Sequence, residues 1–182
     1  MTKSTDEAVL SCSPLGKIPF IRTERGGLCE SQAILDYVEA TWPQPPLMPP
    51  DAFDQAKVRE LTTFIDWHLE ICARQLYSQA FFGGAPLSDE AKARIRAQLV
   101  DNIAAFKRLA KFAPYVAGST FTQADCAAFV NLPVVAMATK VIYGEDLLLA
   151  GGVDYKSYTK LVGERPAAQK VVADRKADAA KA

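Results

Sequence analysis

The residues able to do chemistry in this chain of 182 residues are few and scattered. Four cysteines, Cys12, Cys29, Cys72 and Cys126, show no CxxC or other metal-ligand spacing, and His68 is the only histidine. A tetrahedral zinc site or an iron–sulfur cluster needs closely spaced soft ligands, so no metal is expected. Ser11, Cys12 and Ser13 are nucleophile types in a row, just before a short edge strand. Cys12 reads as a half-buried structural thiol, and His68, between Ile65 and Leu69, as a packed or half-exposed side chain. Arg74 and Tyr77 stand one turn apart near the end of a long helix, where a surface pair is an open reading. Lys92, Arg94, Arg96, Lys107, Arg108 and Lys111 share another helix without interleaved aromatic residues. That reads as a solvated face, because a single-strand binder interleaves aromatic side chains with its cations.

Around these residues the chain has two textures. Residues 18–21 read as a short strand, with Pro19 marking an edge or a special turn because it cannot donate to a ladder. Turn chemistry at residues 23–27 lets Leu28-Cys29 return as the partner strand. Ser31 is suited to cap a helix to about Thr41, with Ile34, Tyr37 and Val38 on one face. Five prolines between residues 43 and 50 then read as a stiff, extended linker.

Beyond the linker everything reads as helix. Asp51 caps a long helix with Val58, Leu61, Ile65, Leu69, Cys72 and Leu76 at helical spacing, stopped at Gly83-Gly84. Ser88 opens the next, burying Ile95, Leu99, Ile103, Phe106 and Ala110 and ending before Pro114. A third, over residues 122–139, is apolar all round, which predicts the central buried helix, kinked at Pro133. Thr122 to Asp125 matches a capping box with Asp in place of Glu, and Phe121 can staple on Cys126. Short helices are expected over residues 145–150, 155–162 and 166–176, with fraying after Asp174.

Composition sets limits on class. Hydrophobic residues make up 49% and charged residues 23%, which is globular rather than disordered. Basic and acidic groups balance at 21 each, so no nucleic-acid partner is expected. The first 91 residues carry a net −6 and the remainder a net +6, a division that falls past the linker and reads as ordinary surface. The opening residues are polar, with no apolar leader, and the longest apolar run, residues 124–138, is interrupted by Asp125, Asn131 and Pro133. It falls short of the ~20 residues of a membrane span. No membrane partner, free thiols and the cytoplasm are the expectation.

Four motifs in order carry a resemblance over nearly the whole chain: SPLGKIPFI (residues 13–21), CESQAIL (29–35), STFTQADCAAF (119–129) and ERPAAQKVVA (164–173). With one hairpin turn between the first two and the proline linker after them, the chain resembles a glutathione S-transferase of the bacterial cytosolic type. The resemblance implies a mostly α protein. A partial thioredoxin-like α/β domain (residues 1–42, hairpin plus helix) and a linker (43–50) precede an all-helical C-terminal domain (51–182). It implies glutathione as co-substrate, conjugation to a hydrophobic electrophile, and a homodimer. By motif, Pro19 matches the family's cis-proline, which presents the Ile18 backbone to the peptide part of glutathione, as an added strand would pair with an edge. Glu30 and Ser31 match the pair that grips the γ-glutamyl end. A hydroxyl and N–H groups at a helix N-terminus favour a carboxylate, and Glu30 can meet the ammonium. Lys17 is placed to reach glutathione's other carboxylate. Ser31 as a simple cap and Pro19 as an ordinary edge proline are the competing readings. Asp125 matches a family residue that serves folding, and Arg74 and Tyr77 become candidates for the electrophile site.

In the family a strand–helix–strand unit of ~30 residues or more comes before the first motif. Thirteen residues precede Pro14 here, and none of them reads as a strand followed by a helix. The catalytic Tyr, Ser or Cys, which favours the reactive thiolate of glutathione, belongs to that unit. Further sequence upstream of Met1 is therefore expected, with weak glutathione binding and little turnover from the chain as it stands. A non-catalytic dimerisation or docking module is the alternative, and thiol–disulfide exchange through Cys12 or Cys29 a third.

Overall fold

The computed structural model describes residues 3–180, and their contacts divide the chain into two compact units, Met1–Met48 and Pro49–Ala182.

In the first unit Asp6 caps a one-turn helix, α1 (Glu7–Leu10), its carboxylate accepting the Ala8 N–H at 2.8 Å. This helix was not expected, since one turn is too short to show periodicity. Strands β1 (Phe20–Thr23) and β2 (Gly26–Cys29) pair antiparallel, Phe20 opposite Cys29 and Thr23 opposite Gly26. The ladder starts two residues later than expected, because Pro19 has no N–H to give it. Thr23 fixes the reversal: its hydroxyl donates to Gly26 O at 3.0 Å and accepts the Arg25 N–H at 3.1 Å. Gly27 admits the preceding segment across β2, since a Cβ there would lie 2.8 Å from Cys12 Sγ.

Helix α2 (Ser31–Thr41) buries Ile34. Ser31 is its first helical residue rather than its cap. Glu30 takes the cap position at φ 69°, and no side chain caps this helix end. The chain must turn from strand to helix in one residue, and Glu30 absorbs the reversal in a region that side chains rarely adopt. The proline segment is also less free than an extended linker. The Glu39 carboxylate accepts the N–H groups of Leu47 and Met48, each at 3.0 Å.

The second unit is helical. Asp51 caps α3 (Ala52–Thr63), accepting from the N–H groups of Phe53 and Asp54. The expected long helix does not run on uniformly. A wide, π-helical stretch (Phe64–Glu70) follows, then α4 (Ile71–Arg74), a turn, and α5 (Tyr77–Phe81). All six expected apolar positions from Val58 to Leu76 are nonetheless buried. Helix α6 (Asp89–Leu109), capped by Ser88, buries Ile95, Leu99, Ile103 and Phe106, each contributing about 1.5–3 kcal/mol. Several of its cations have local partners: Arg96 pairs with Glu145 at 2.6 Å and Arg94 donates to Gln75.

Helix α7 (Gln123–Tyr143) passes through Pro133 without ending. At 21 residues it is long and apolar enough to cross a membrane by length and composition, more than the interrupted run in the sequence suggested. Its Ala124, Ala128, Leu132, Val135 and Ala138 are instead buried in the core, against α3 and the π-helical stretch. Three short helices complete the unit: α8 (Leu147–Ala150), α9 (Tyr155–Gly163) and α10 (Pro166–Ala179). The last continues past Asp174, where fraying was expected, with Lys170 and Asp174 paired at 2.7 Å. The fold is mostly α: a hairpin and helix of thioredoxin-like type, then a helical bundle.

Candidate functional site

The hairpin register brings two of the sequence motifs to one place. Phe20 and Cys29 close the ladder, so Pro19 and Glu30 each lie one residue beyond it at the same end of the hairpin. Neighbouring strands are about 5 Å apart, which sets the reach between the two segments. The Ile18–Pro19 bond is cis, as the motif implied. Lys17, Ile18 and Pro19 are exposed, Ile18 at 85%, and the Lys17 N–H donates to Ser13 Oγ at 3.1 Å. On the facing side Glu30 and Ser31 are exposed at the start of α2, where no side chain caps the helix. An exposed hydroxyl at a helix N-terminus attracts a carboxylate, and a carboxylate beside it attracts an ammonium. This end of the hairpin is thus chemically matched to a zwitterionic amino-acid head group. Glu30 at positive φ is a strained residue of the kind that gathers at ligand-binding corners.

The hydroxyl and thiol groups just before the hairpin do not join it. Ser13 is 3% exposed and its hydroxyl is engaged by Lys17, while Cys12 is buried at 6% beneath Gly27, more deeply than expected. The Arg22 guanidinium beside Cys12 pulls its thiol below the usual value, and burial opposes that shift. Cys29 is half-buried in β2.

Arg74, whose side chain is 41% exposed, and the half-buried Tyr77 belong to a polar cluster in the second unit. Glu70, 7% exposed, receives the Arg74 Nε on both carboxylate oxygens at 3.0 Å. One turn earlier, Asp66 Oδ1 accepts from Asn131 Nδ2 of α7 at 2.8 Å. Burial pushes the Asp66 carboxyl above the usual range, the Glu70 charge adds to this, and the Asn131 hydrogen bond opposes it. The Tyr77 hydroxyl is buried without a hydrogen bond of normal geometry, and burial with the Glu70 charge pushes it up as well. Asp66, Glu70 and Asn131 were missed by the sequence reading. The signal available was Asp66, Glu70 and Arg74 at intervals of four among buried positions. Asn131 lies 65 residues away and gave none.

Two further residues are accounted for structurally. Asp125, fully buried, accepts from the N–H groups of Val116 and Thr122 and from Tyr158 Oη, each at 2.8 Å, and from Thr122 Oγ1 at 3.2 Å. It ties a loop, the start of α7 and α9 together. His68, expected to be packed or half-exposed, is exposed. Its ring rests 4.6 Å from that of Phe64, and its carbonyl accepts from Asn102 at 2.6 Å. Among the described residues no group of three metal-ligand side chains comes together.

Residues 1–46 match the family description "Glutathione S-transferase, N-terminal domain", and residues 89–155 match "Glutathione S-transferase, C-terminal domain". The chain is 39% identical over 170 residues to a glutathione S-transferase of Pseudomonas putida, covering 92% of this chain and 76% of the relative. A probable maleylacetoacetate isomerase 1 of Drosophila melanogaster is 42% identical over 53 residues, 29% of this chain and 22% of that protein. Among solved structures, glutathione transferase F2 from Populus trichocarpa superposes with a TM-score of 0.72 at 18% identity, covering 94% of this chain and 81% of that one. A glutathione S-transferase from Methylobacterium radiotolerans in complex with glutathione sulfonate gives 0.67 at 23% identity, covering 92% and 77%.

Proposed function

The chain belongs to the glutathione S-transferase family, and from that premise we propose that the exposed end of its hairpin binds glutathione. The single observation that carries this is the register that sets Ile18-Pro19 and Glu30-Ser31 side by side. The γ-glutamyl carboxylate lies against Ser31 and the N-terminus of α2, and its ammonium meets Glu30. The cysteinyl backbone pairs with Ile18, and Lys17 meets the glycyl carboxylate. The reaction is attack of the glutathione thiolate on a hydrophobic electrophile, forming a thioether and expelling the leaving group. Arg74 and Tyr77 are the residues we assign to the electrophile's surroundings. The protein works in the cytoplasm as a homodimer.

One observation favours a second, non-catalytic reading as a dimerisation or docking module. Ser13 is occupied and Cys12 buried, so neither of these two groups presents itself to a bound sulfur. Steady-state assay with glutathione and 1-chloro-2,4-dinitrobenzene separates the two. Saturable turnover supports conjugation. Glutathione binding without turnover supports the non-catalytic reading.

A further inference from the structure

The loop that leads into the exposed end of the hairpin is fastened from behind. Ser13 lies just past α1, and its N–H donates to Val9 O at 2.8 Å. It then makes two bonds forward: its carbonyl accepts the Gly16 N–H at 2.7 Å, and its hydroxyl accepts the Lys17 N–H at 3.1 Å. Gly16 O accepts the Ser4 N–H at 2.9 Å, and the approach is so close that a Cβ on Gly16 would collide with Ser4 O. Residues 13–16 are thus closed on themselves and on the N-terminal segment, and the Lys17 N–H is the last group so held.

Beyond that point the chain is open. Lys17, Ile18 and Pro19 are exposed, and among the described residues the Lys17 ammonium has no carboxylate partner. Packing cannot aim a side chain that stands in solvent, so the backbone bond at Lys17 has to. The Ser13 hydroxyl is suited to this. It is buried, Ser13 being 3% exposed, and its bond to the Lys17 N–H fixes the peptide from which the Lys17 side chain departs.

We infer that Ser13 is a positioning residue for the carboxyl-terminal arm of the bound peptide and, through Lys17, a determinant of specificity for a free carboxylate at its end. This rests on the glutathione reading above. Ser13 itself touches no part of the ligand. It holds Lys17 in place, so that the ammonium meets the glycyl carboxylate without the cost of first being ordered. A peptide whose end is neutral gains nothing from that arrangement. Removing the hydroxyl leaves both main-chain bonds of Ser13 intact, and the exposed Lys17 N–H can bond water instead, so the loop loses its aim rather than its fold.

The test compares glutathione with its glycyl monoethyl ester, in which that carboxylate alone is blocked. Both are titrated calorimetrically into the full chain at low ionic strength, where an exposed ion pair is least screened. The wild type is expected to bind glutathione about 2- to 5-fold more tightly than the ester. Ser13→Ala is expected to bring that ratio to about 1 by weakening glutathione, and Ser13→Thr, which keeps the hydroxyl, to restore it. In a Lys17→Gln background Ser13→Ala is expected to cost glutathione nothing further. The ratio reads the folded molecules, because an unfolded fraction lowers the stoichiometry for both ligands alike. A wild-type preference retained in Ser13→Ala, with both ligands weakened equally, overturns this inference alone. Equal affinity of the two ligands for the wild type overturns the assignment of Lys17 and this inference with it.

Discussion

Glu30 is held at φ 69° and ψ 119°, where a residue with a Cβ is strained by about 1–3 kcal/mol. Glu30→Gly removes that strain. The glycine costs about 0.5–1 kcal/mol through the greater freedom of the unfolded chain, leaving a net gain of roughly 0–2.5 kcal/mol. The gain belongs to the first unit, so a local readout is needed. Native-state hydrogen exchange of the β1–β2 ladder amides and of the Ile34 N–H, which donates to Glu30 O at 3.0 Å, supplies one. At 1.4 kcal/mol per decade, exchange should slow, by up to about 60-fold. The same variant should bind glutathione about 2- to 5-fold more weakly, the worth of an exposed ion pair. Glu30→Gln separates the effects, keeping the strain while losing the charge: its exchange should match the wild type and its affinity should fall. Faster exchange in Glu30→Gly refutes the reasoning, because it would mean that the carboxylate stabilises this corner more than the backbone conformation costs.

Two other predictions concern the helical unit. Asp125→Asn keeps the shape but turns an NH₂ group toward a backbone N–H, of Val116 or of Thr122, whichever way the amide faces, so one of four hydrogen bonds is lost and the others lose their charge. A destabilisation of about 3–5 kcal/mol is expected, a fall in Tm of roughly 6–20 °C by circular dichroism at 222 nm. Asp66 has a raised folded-state pKa, so the unfolded chain binds fewer protons and stability falls as pH rises through the window that opens near the ordinary Asp value of ~3.9. Asp66→Asn can still accept from Asn131, and should raise Tm at pH 7 with the gain gone below pH ~4. An equal gain at both pH values would remove titration as its source.

The helical core was legible because its side chains repeat at 3.6 residues: Val58 to Leu76 and Ile95 to Phe106 are buried as their spacing predicts. The π-helical stretch was not, since a change from i→i−4 to i→i−5 bonding leaves those apolar intervals nearly intact over seven residues. Helix α1 carried a readable signal, Asp6 before Glu7, but one turn gives no period to confirm it. The position of Glu30 at the cap was hidden by chemistry. Ser is the better capping residue, yet the length of β2 decides where the corner falls, and that length is set by pairing. At the candidate site the motifs named the residues, while their closeness depended on the register fixed by Thr23 and Gly26. The Asp66–Asn131 bond joins helices 65 residues apart, a contact that only the packed bundle creates.

Isothermal titration of glutathione into the full chain, wild type against Ser31→Ala, tests the binding assignment most directly. A hydroxyl bonded to a carboxylate is worth about 1.5–3 kcal/mol, so Ser31→Ala should weaken binding by roughly 10- to 100-fold with stoichiometry unchanged. Equal affinity in the two proteins, or no heat of binding at millimolar glutathione in the wild type, contradicts the account.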